Sequence, residues 1–124
     1  MKKTFLILGS LNGFLAVALG AFAAHGLKGT IPDKLLASFE TGTDYQMYHA
    51  LAIVLVALLS LRIGEARELV WSGWLLFLGI VLFSGSLYVM ALTQVTWLGI
   101  ITPFGGVSFL AGWVMLALSA RKLS

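Results

Sequence analysis

The chain contains no cysteine and few charges. Without thiols it has no disulfide, no thiolate metal site and no cysteine nucleophile. Charged residues make up 10% of it, where a soluble domain averages roughly 25%. Its five acids lie in loops or at a helix end, so no carboxylate stands within an apolar run. The basic residues are scattered and form no patch, which sets a nucleic-acid partner aside.

What fills the chain instead is apolar side chain, 60% of residues, with a mean hydropathy of +1.00. A chain of 124 residues has room for one domain, spanning residues 1–124. A soluble domain of that size cannot hide so much apolar surface. The bilayer is its natural solvent. A hydrocarbon core takes about 20 apolar residues as helix, and four stretches meet that length, at residues 4–24, 44–61, 70–92 and 103–120. Backbone groups cannot go unpaired in lipid, and four segments are too few for a barrel, so each is expected to be a helix. The first stretch, "MKKTFLILGSLNGFLAVALGAFA", has the basic start and A-x-A ending of a secretory signal. It is long for one, and Gly9, Asn12 and Gly13 interrupt it at helical spacing, so a retained span is expected.

Basic residues orient the spans. With the amino terminus inside, Lys2, Lys3, Arg62, Arg67, Arg121 and Lys122 fall on the cytoplasmic side, and only Lys28 and Lys34 on the other. This asymmetry predicts cytoplasmic termini and a multi-pass protein of the bacterial inner membrane. It also argues against the dual orientation used by small fluoride channels. Small multidrug exporters, similar in length, need an acid in the first helix, where this chain has Asn12.

The first outer connection, "GTIPDKLLASFETGT", repeats Ile31, Leu35 and Phe39 at every fourth residue. Pro32 suits a first helical turn and Thr30 its cap. A short amphipathic helix on the outer membrane surface is expected there. Thr43 and Gln46 have capping-box spacing for the start of the second span. The uncharged segment "TQVTWLGIIT" is expected to dip into the interface, anchored by Trp97. The fold class is therefore an all-α membrane protein: a four-transmembrane-helix bundle with a short amphipathic helix in the first outer loop.

In the first span Gly9, Gly13, Ala16, Gly20 and Ala24 form a stripe of small side chains, on which another helix can pack closely. Asn12 is expected to face protein and bond across helices, worth about 0.6–2 kcal/mol. Gly105 and Gly106 open the fourth span as further packing positions. The other polar residues gather in one half of the bundle, where His25, Tyr45, His49, Ser84 and Tyr88 form a candidate pocket. Tyr45 and Gln46 stand four and three residues before His49, close enough to meet it on one helix. Three readings of the histidines remain open: structural hydrogen bonding, a ligand or proton role, and metal. Zinc normally wants three or four ligands, and one chain offers His25, His49 and Asp44. No cofactor is expected.

Four motifs, "GFLAVALGAFAAHGL", "YQMYHALAI", "VLFSGSLYVMAL" and "TPFGGVSFLAGW", resemble in order those of the YgdD-like family of small bacterial inner-membrane proteins. That family is a domain of unknown function with a related transmembrane protein in animals. The resemblance implies four inner-membrane helices and maps recurrent positions onto Gly20, His25, Tyr48, His49, Ser84, Tyr88, Pro103, Gly105, Gly106, Gly112 and Trp113. Ala23 is a conservative departure, standing where the family often has glycine. No reaction comes with the resemblance.

Two functions from different classes follow. The first is a structural or accessory protein working through helix–helix contact, in a homo-oligomer or a larger membrane complex, with the lipid bilayer as its constant partner. The second is an ion-, proton- or small-ligand-binding or conducting protein that uses the pocket around His25 and His49. Catalysis is not expected. Ser84 or Ser86 with His49 is the only conceivable nucleophile–base pair, and "FSGSLY" lies within a helical run without a strained turn.

Overall fold

The structure, a computed structural model, describes residues 1–123. Among them four helical segments are long and apolar enough to cross a membrane: Lys2–Leu27, Asp33–Ile63, Arg67–Thr93 and Thr96–Lys122. Helix α1 is the first of these and ends in a π-helical turn, Ala23–Leu27. Helix α2 is Asp33–Ile63 and α3 is Arg67–Thr93, the latter with a π-helical turn, Ile80–Ser84, set into it. A 3₁₀ turn, Thr96–Ile100, leads into α4, Thr102–Leu118, whose first turn contains Pro103. Gly29 and Gly64 close α1 and α2 with φ of 87° and 72°, a region open to glycine at no steric cost. Gln94 takes the left-handed conformation after α3.

The expected short amphipathic helix is not a separate element. Its residues are the first turns of α2, a single helix of 31 residues. The reason is phase. The buried positions Leu35, Phe39, Gly42, Thr43, Gln46, His49, Ala50 and Ile53 follow one 3.6-residue repeat, so nothing marks a break. Leu35 and Phe39 pack on Ala23, Leu27 and Ala91 rather than lying on a membrane surface. Thr43 is no cap, because its hydroxyl donates to the Glu40 carbonyl inside the helix. Pro32 holds the cap position, and its carbonyl accepts from the amides of Leu35 and Leu36. Thr30 turns back to the Leu27 carbonyl.

Helices α2 and α3 form the centre, with α1 lying mainly along α2 and α4 mainly along α3. Two apolar clusters occupy the two ends. At the end carrying the termini, Phe5, Ile53, Val56, Leu69, Leu76 and Phe109 pack together. At the other end the cluster is built on Phe39. Between them α2 carries Gly42, Thr43, Gln46 and His49 inward, which makes a polar layer across the bundle.

Apolar side chains in lipid gain little from leaving it, so the helices associate through close packing. The contacts are large side chains seated on glycines. A Cβ on Gly73 would lie 2.4 Å from the Phe5 ring, and one on Gly79 would lie 2.3 Å from the Phe109 ring. On Gly42 it would meet the Tyr88 ring at 2.7 Å. At Gly105 it would come 2.3 Å from the Phe83 backbone nitrogen, and backbone cannot swing aside. Serines stitch the same seams. The Ser72 hydroxyl donates to the Gly112 carbonyl at 2.8 Å, and Ser108 donates to the Leu75 carbonyl at 2.7 Å.

Gly105→Ala is expected to destabilise the bundle by about 1–3 kcal/mol through overpacking. Gly85→Ala, where a Cβ meets nothing within 4 Å, is expected to be neutral or to stabilise by up to about 1 kcal/mol. Reversible unfolding in mixed micelles measures both, and equal effects would contradict the seating of α4 on α3.

Candidate functional site

The polar layer is built from one side chain of each of three helices. Asn12 of α1, Gln46 of α2 and Tyr88 of α3 form a chain of directed bonds. The Tyr88 hydroxyl donates to Gln46 Oε1 at 2.6 Å, and Gln46 Nε2 donates to Asn12 Oδ1 at 2.9 Å. Asn12 Nδ2 ends the chain at the Leu8 carbonyl, 2.9 Å away. Beside it, the Ser84 hydroxyl donates to the Gly42 carbonyl at 2.7 Å, across the seat that Gly42 provides for the Tyr88 ring. No buried side-chain nitrogen or oxygen among the described residues lacks a partner.

His49, one turn further along α2, faces α4. Its Nδ1 lies 2.7 Å from the Tyr45 carbonyl, and its Nε2 lies 3.0 Å from the Trp113 indole nitrogen. A carbonyl can only accept and an indole N–H can only donate, so the proton sits on Nδ1 and the lone pair on Nε2 is engaged. The imidazole is neutral, with both nitrogens occupied. Its ring stacks on Phe109 at 3.5 Å between centroids and 8° between planes. Tyr45 extends the stack, its ring centroid 6.0 Å from that of His49 and 4.6 Å from that of Phe83.

In front of His49 lies an open groove of about 320 Å³ between α2 and α4, lined by Tyr45, Tyr48, Gly106, Leu110 and Trp113. The two neighbouring glycines of α4 differ here. Gly105 is needed by the Phe83 backbone, whereas a Cβ on Gly106 would find only a Phe83 ring carbon at 4.0 Å. Gly106 therefore forms part of the groove wall.

The expected pocket is not one site. Tyr45 and His49 face α4, while Ser84 and Tyr88 bond to α2. His25 is exposed in the π-helical turn of α1, and no side-chain hydrogen bond joins it to the others among the described residues. Tyr45 and Gln46 do not reach the His49 ring as hydrogen-bond partners on one helix face. The Tyr45 backbone does so, and Gln46 turns to α1 and α3. Nor does any group of three or more His, Cys, Asp or Glu converge to hold a metal among the described residues.

The small-residue stripe of α1 is likewise divided. Gly9 sits at a close approach, its Cβ position 2.9 Å from the Ala50 carbonyl oxygen. Gly13 has open space, Gly20 has only the Thr43 hydroxyl at 3.9 Å, and Ala24 is exposed. The buried face of α1 is Phe5, Gly9, Asn12, Ala16 and Ala23. Steps of four residues overrun the 3.6-residue turn, which carries Ala24 off that face.

Sequence reasoning missed Gln46 as the bridge and Trp113 as the partner of His49. Gln46 shares the α2 phase of Phe39, Gly42 and His49, a signal that was present. Nothing in linear spacing pairs His49 with Trp113, 64 residues away.

A four-helix membrane protein with a neutral, internally bonded polar layer is the class these features define. The chain belongs to the family described as protein of unknown function DUF423, whose model matches residues 19–106. It is 52% identical over 120 residues to the UPF0382 membrane protein YwdK of Bacillus subtilis, covering 97% of this chain and 98% of that one. A UPF0382 membrane protein of Staphylococcus epidermidis is 52% identical and one of Staphylococcus aureus is 50% identical, each over 98% of both chains. No solved structure matches the chain significantly. It is thus a membrane protein of a family whose description carries no activity.

A double-mutant cycle of Gln46→Leu and Tyr88→Phe, followed by unfolding in micelles, is expected to give a coupling of about 0.6–1.7 kcal/mol. Zero coupling would remove the bridge. ¹⁵N NMR of the reconstituted protein is expected to find His49 protonated on Nδ1, with Trp113→Phe shifting chiefly the Nε2 resonance. A proton on Nε2 would contradict the indole bond.

Proposed function

We propose that the protein is a small, non-enzymatic accessory protein of the bacterial inner membrane that acts through helix–helix contact at the α2–α4 groove. The observation that carries this reading is the contrast between that groove and what lies behind it. The groove presents rigid aromatic edges, Tyr45, Tyr48 and Trp113, around the small Gly106. Such side chains give contact area at low entropic cost, and a small residue lets a neighbouring helix come close. Behind them the polar groups are committed to one another. His49 has both nitrogens engaged, which speaks against a proton or metal role. Ser84 donates to the Gly42 carbonyl, and Ser86 is shared between the Phe83 carbonyl and Thr102, which speaks against a serine–histidine nucleophile.

The positive-inside asymmetry supports cytoplasmic termini and the inner membrane as the location. The four motifs quoted above support the narrower YgdD-like assignment, with its animal relative.

The test is native mass spectrometry of the full chain in nanodiscs formed directly from cell membrane, with wild type compared to Gly106→Leu. The reading expects co-released protein, another subunit or further copies, that is lost in Gly106→Leu while bundle stability stays within about 1 kcal/mol of wild type. Release of wild type alone, or an assembly that Gly106→Leu leaves intact, would sink it.

A further inference from the structure

We propose that the concavity between α3 and α4 at the termini end binds the headgroup of an anionic phospholipid. This site is separate from the α2–α4 groove and does not rest on the accessory reading. Arg67 begins α3, and Arg121 and Lys122 end the 3₁₀ turn Ser119–Lys122 that follows α4. The three cations border a space of about 580 Å³ with a single carboxylate, Glu68, among its lining residues. Arg121 donates to Glu68 Oε2, which offsets one positive charge. Arg67 and Lys122 have no salt-bridge partner among the described residues. The first turn of α3 lies at the same place, and although the Glu68 carboxylate engages its own amide there, a helix start favours an anion.

The wall of the concavity selects among anions. Trp71, Met115 and Leu118 form it on the side toward the bilayer, and Trp71 is 52% exposed. Tryptophan suits the headgroup level, where one edge is apolar and the other wet. A free phosphate would leave this apolar wall idle. A phospholipid would lay its acyl chains along it and place its phosphodiester among the cations. Basic pockets between membrane helices hold anionic headgroups in this way. A second groove at the same end, between α1 and α2, provides a control. It is bordered by Lys2 and Lys3 over apolar walls, Leu6, Ala57, Leu58 and Leu61, but neither an arginine nor a tryptophan lines it.

The experiment uses the full-length protein in nanodiscs of mixed dioleoylphosphatidylglycerol and dioleoylphosphatidylcholine, and native mass spectrometry counts the lipids retained on release. Phosphatidylglycerol is expected to be retained in preference to phosphatidylcholine. Arg67→Gln and Lys122→Gln should each weaken that preference about fivefold, the effect of roughly one surface cation. Glu68→Gln, which frees Arg121, should strengthen it. Lys2→Gln with Lys3→Gln, which removes two charges from the same end, should leave it unchanged. No preference in wild type, an unaltered preference in Arg67→Gln and in Lys122→Gln, or an equal loss in the Lys2→Gln/Lys3→Gln double variant would overturn the proposal. So would displacement of the lipid by inorganic phosphate alone. Arg67 and Lys122 are exposed and outside the packed seams, and the Glu68 variant reads as a gain, so misfolding cannot mimic the expected pattern.

Discussion

In hydrocarbon a carboxamide has no water to turn to, so Gln46 can occupy the middle of the bundle only with both ends of its side chain bonded. Its oxygen accepts from Tyr88 of α3 and its nitrogen donates to Asn12 of α1. One residue of slip in α2 would rotate Gln46 by about 100° and orphan partners on two helices at once. An unpaired amide in lipid costs several kcal/mol, and the same slip would unseat α1 at Gly9 and the Tyr88 ring at Gly42. Gln46 and these seats therefore set one register for α1, α2 and α3, and the apolar clusters above and below fill the space that register leaves.

Glycine seats and the π-helical turn of α3 are the means of bringing the helices close enough for such bonds. Ser84 reaches the Gly42 carbonyl because Gly42, with no side chain, lets α3 approach and receives the Tyr88 ring. The turn at Ile80–Ser84 changes the phase of the helix at this point. Ser84 and Tyr88 then face α2 while Phe83, between them and α4, packs on Gly105, Tyr45 and Phe109. A regular α-helix keeps one phase throughout, and π turns commonly sit where two neighbours make different demands.

The four spans were legible because bilayer thickness is a length constraint, and apolar runs of sufficient length cannot be anything else in so small a chain. Less legible was everything that depends on phase between helices. Pro32, Thr30 and the Thr43–Gln46 pair read as punctuation for two helices, yet Thr43 and Gln46 lie on the inner face of a continuous one. The glycines of α1 read as a packing stripe, but the buried face is displaced toward Asn12 and Ala23, because packing against α2 and its Gln46 decides the rotation of α1. His49 was legible as a residue of interest, but its partners were not. The Trp113 bond that fixes the histidine tautomer comes from tertiary placement alone.

That bond also limits what the bundle can do. For His49 to take up a proton or a ligand at Nε2, the Trp113 indole must leave it. To give up the Nδ1 proton, the ring must leave the Tyr45 carbonyl. The second movement turns an imidazole that is stacked face to face on Phe109, whose ring in turn fills the seat at Gly79. Loss of the Nδ1 proton is thus coupled to the α3–α4 seam, whereas uptake at Nε2 costs the indole bond. Chemistry that cycles rapidly is poorly served by such an arrangement, and a fixed surface is well served. The neutral, stacked histidine holds Tyr45 and Trp113 in one orientation at the edges of the groove, so the partner proposed above would find the groove already shaped.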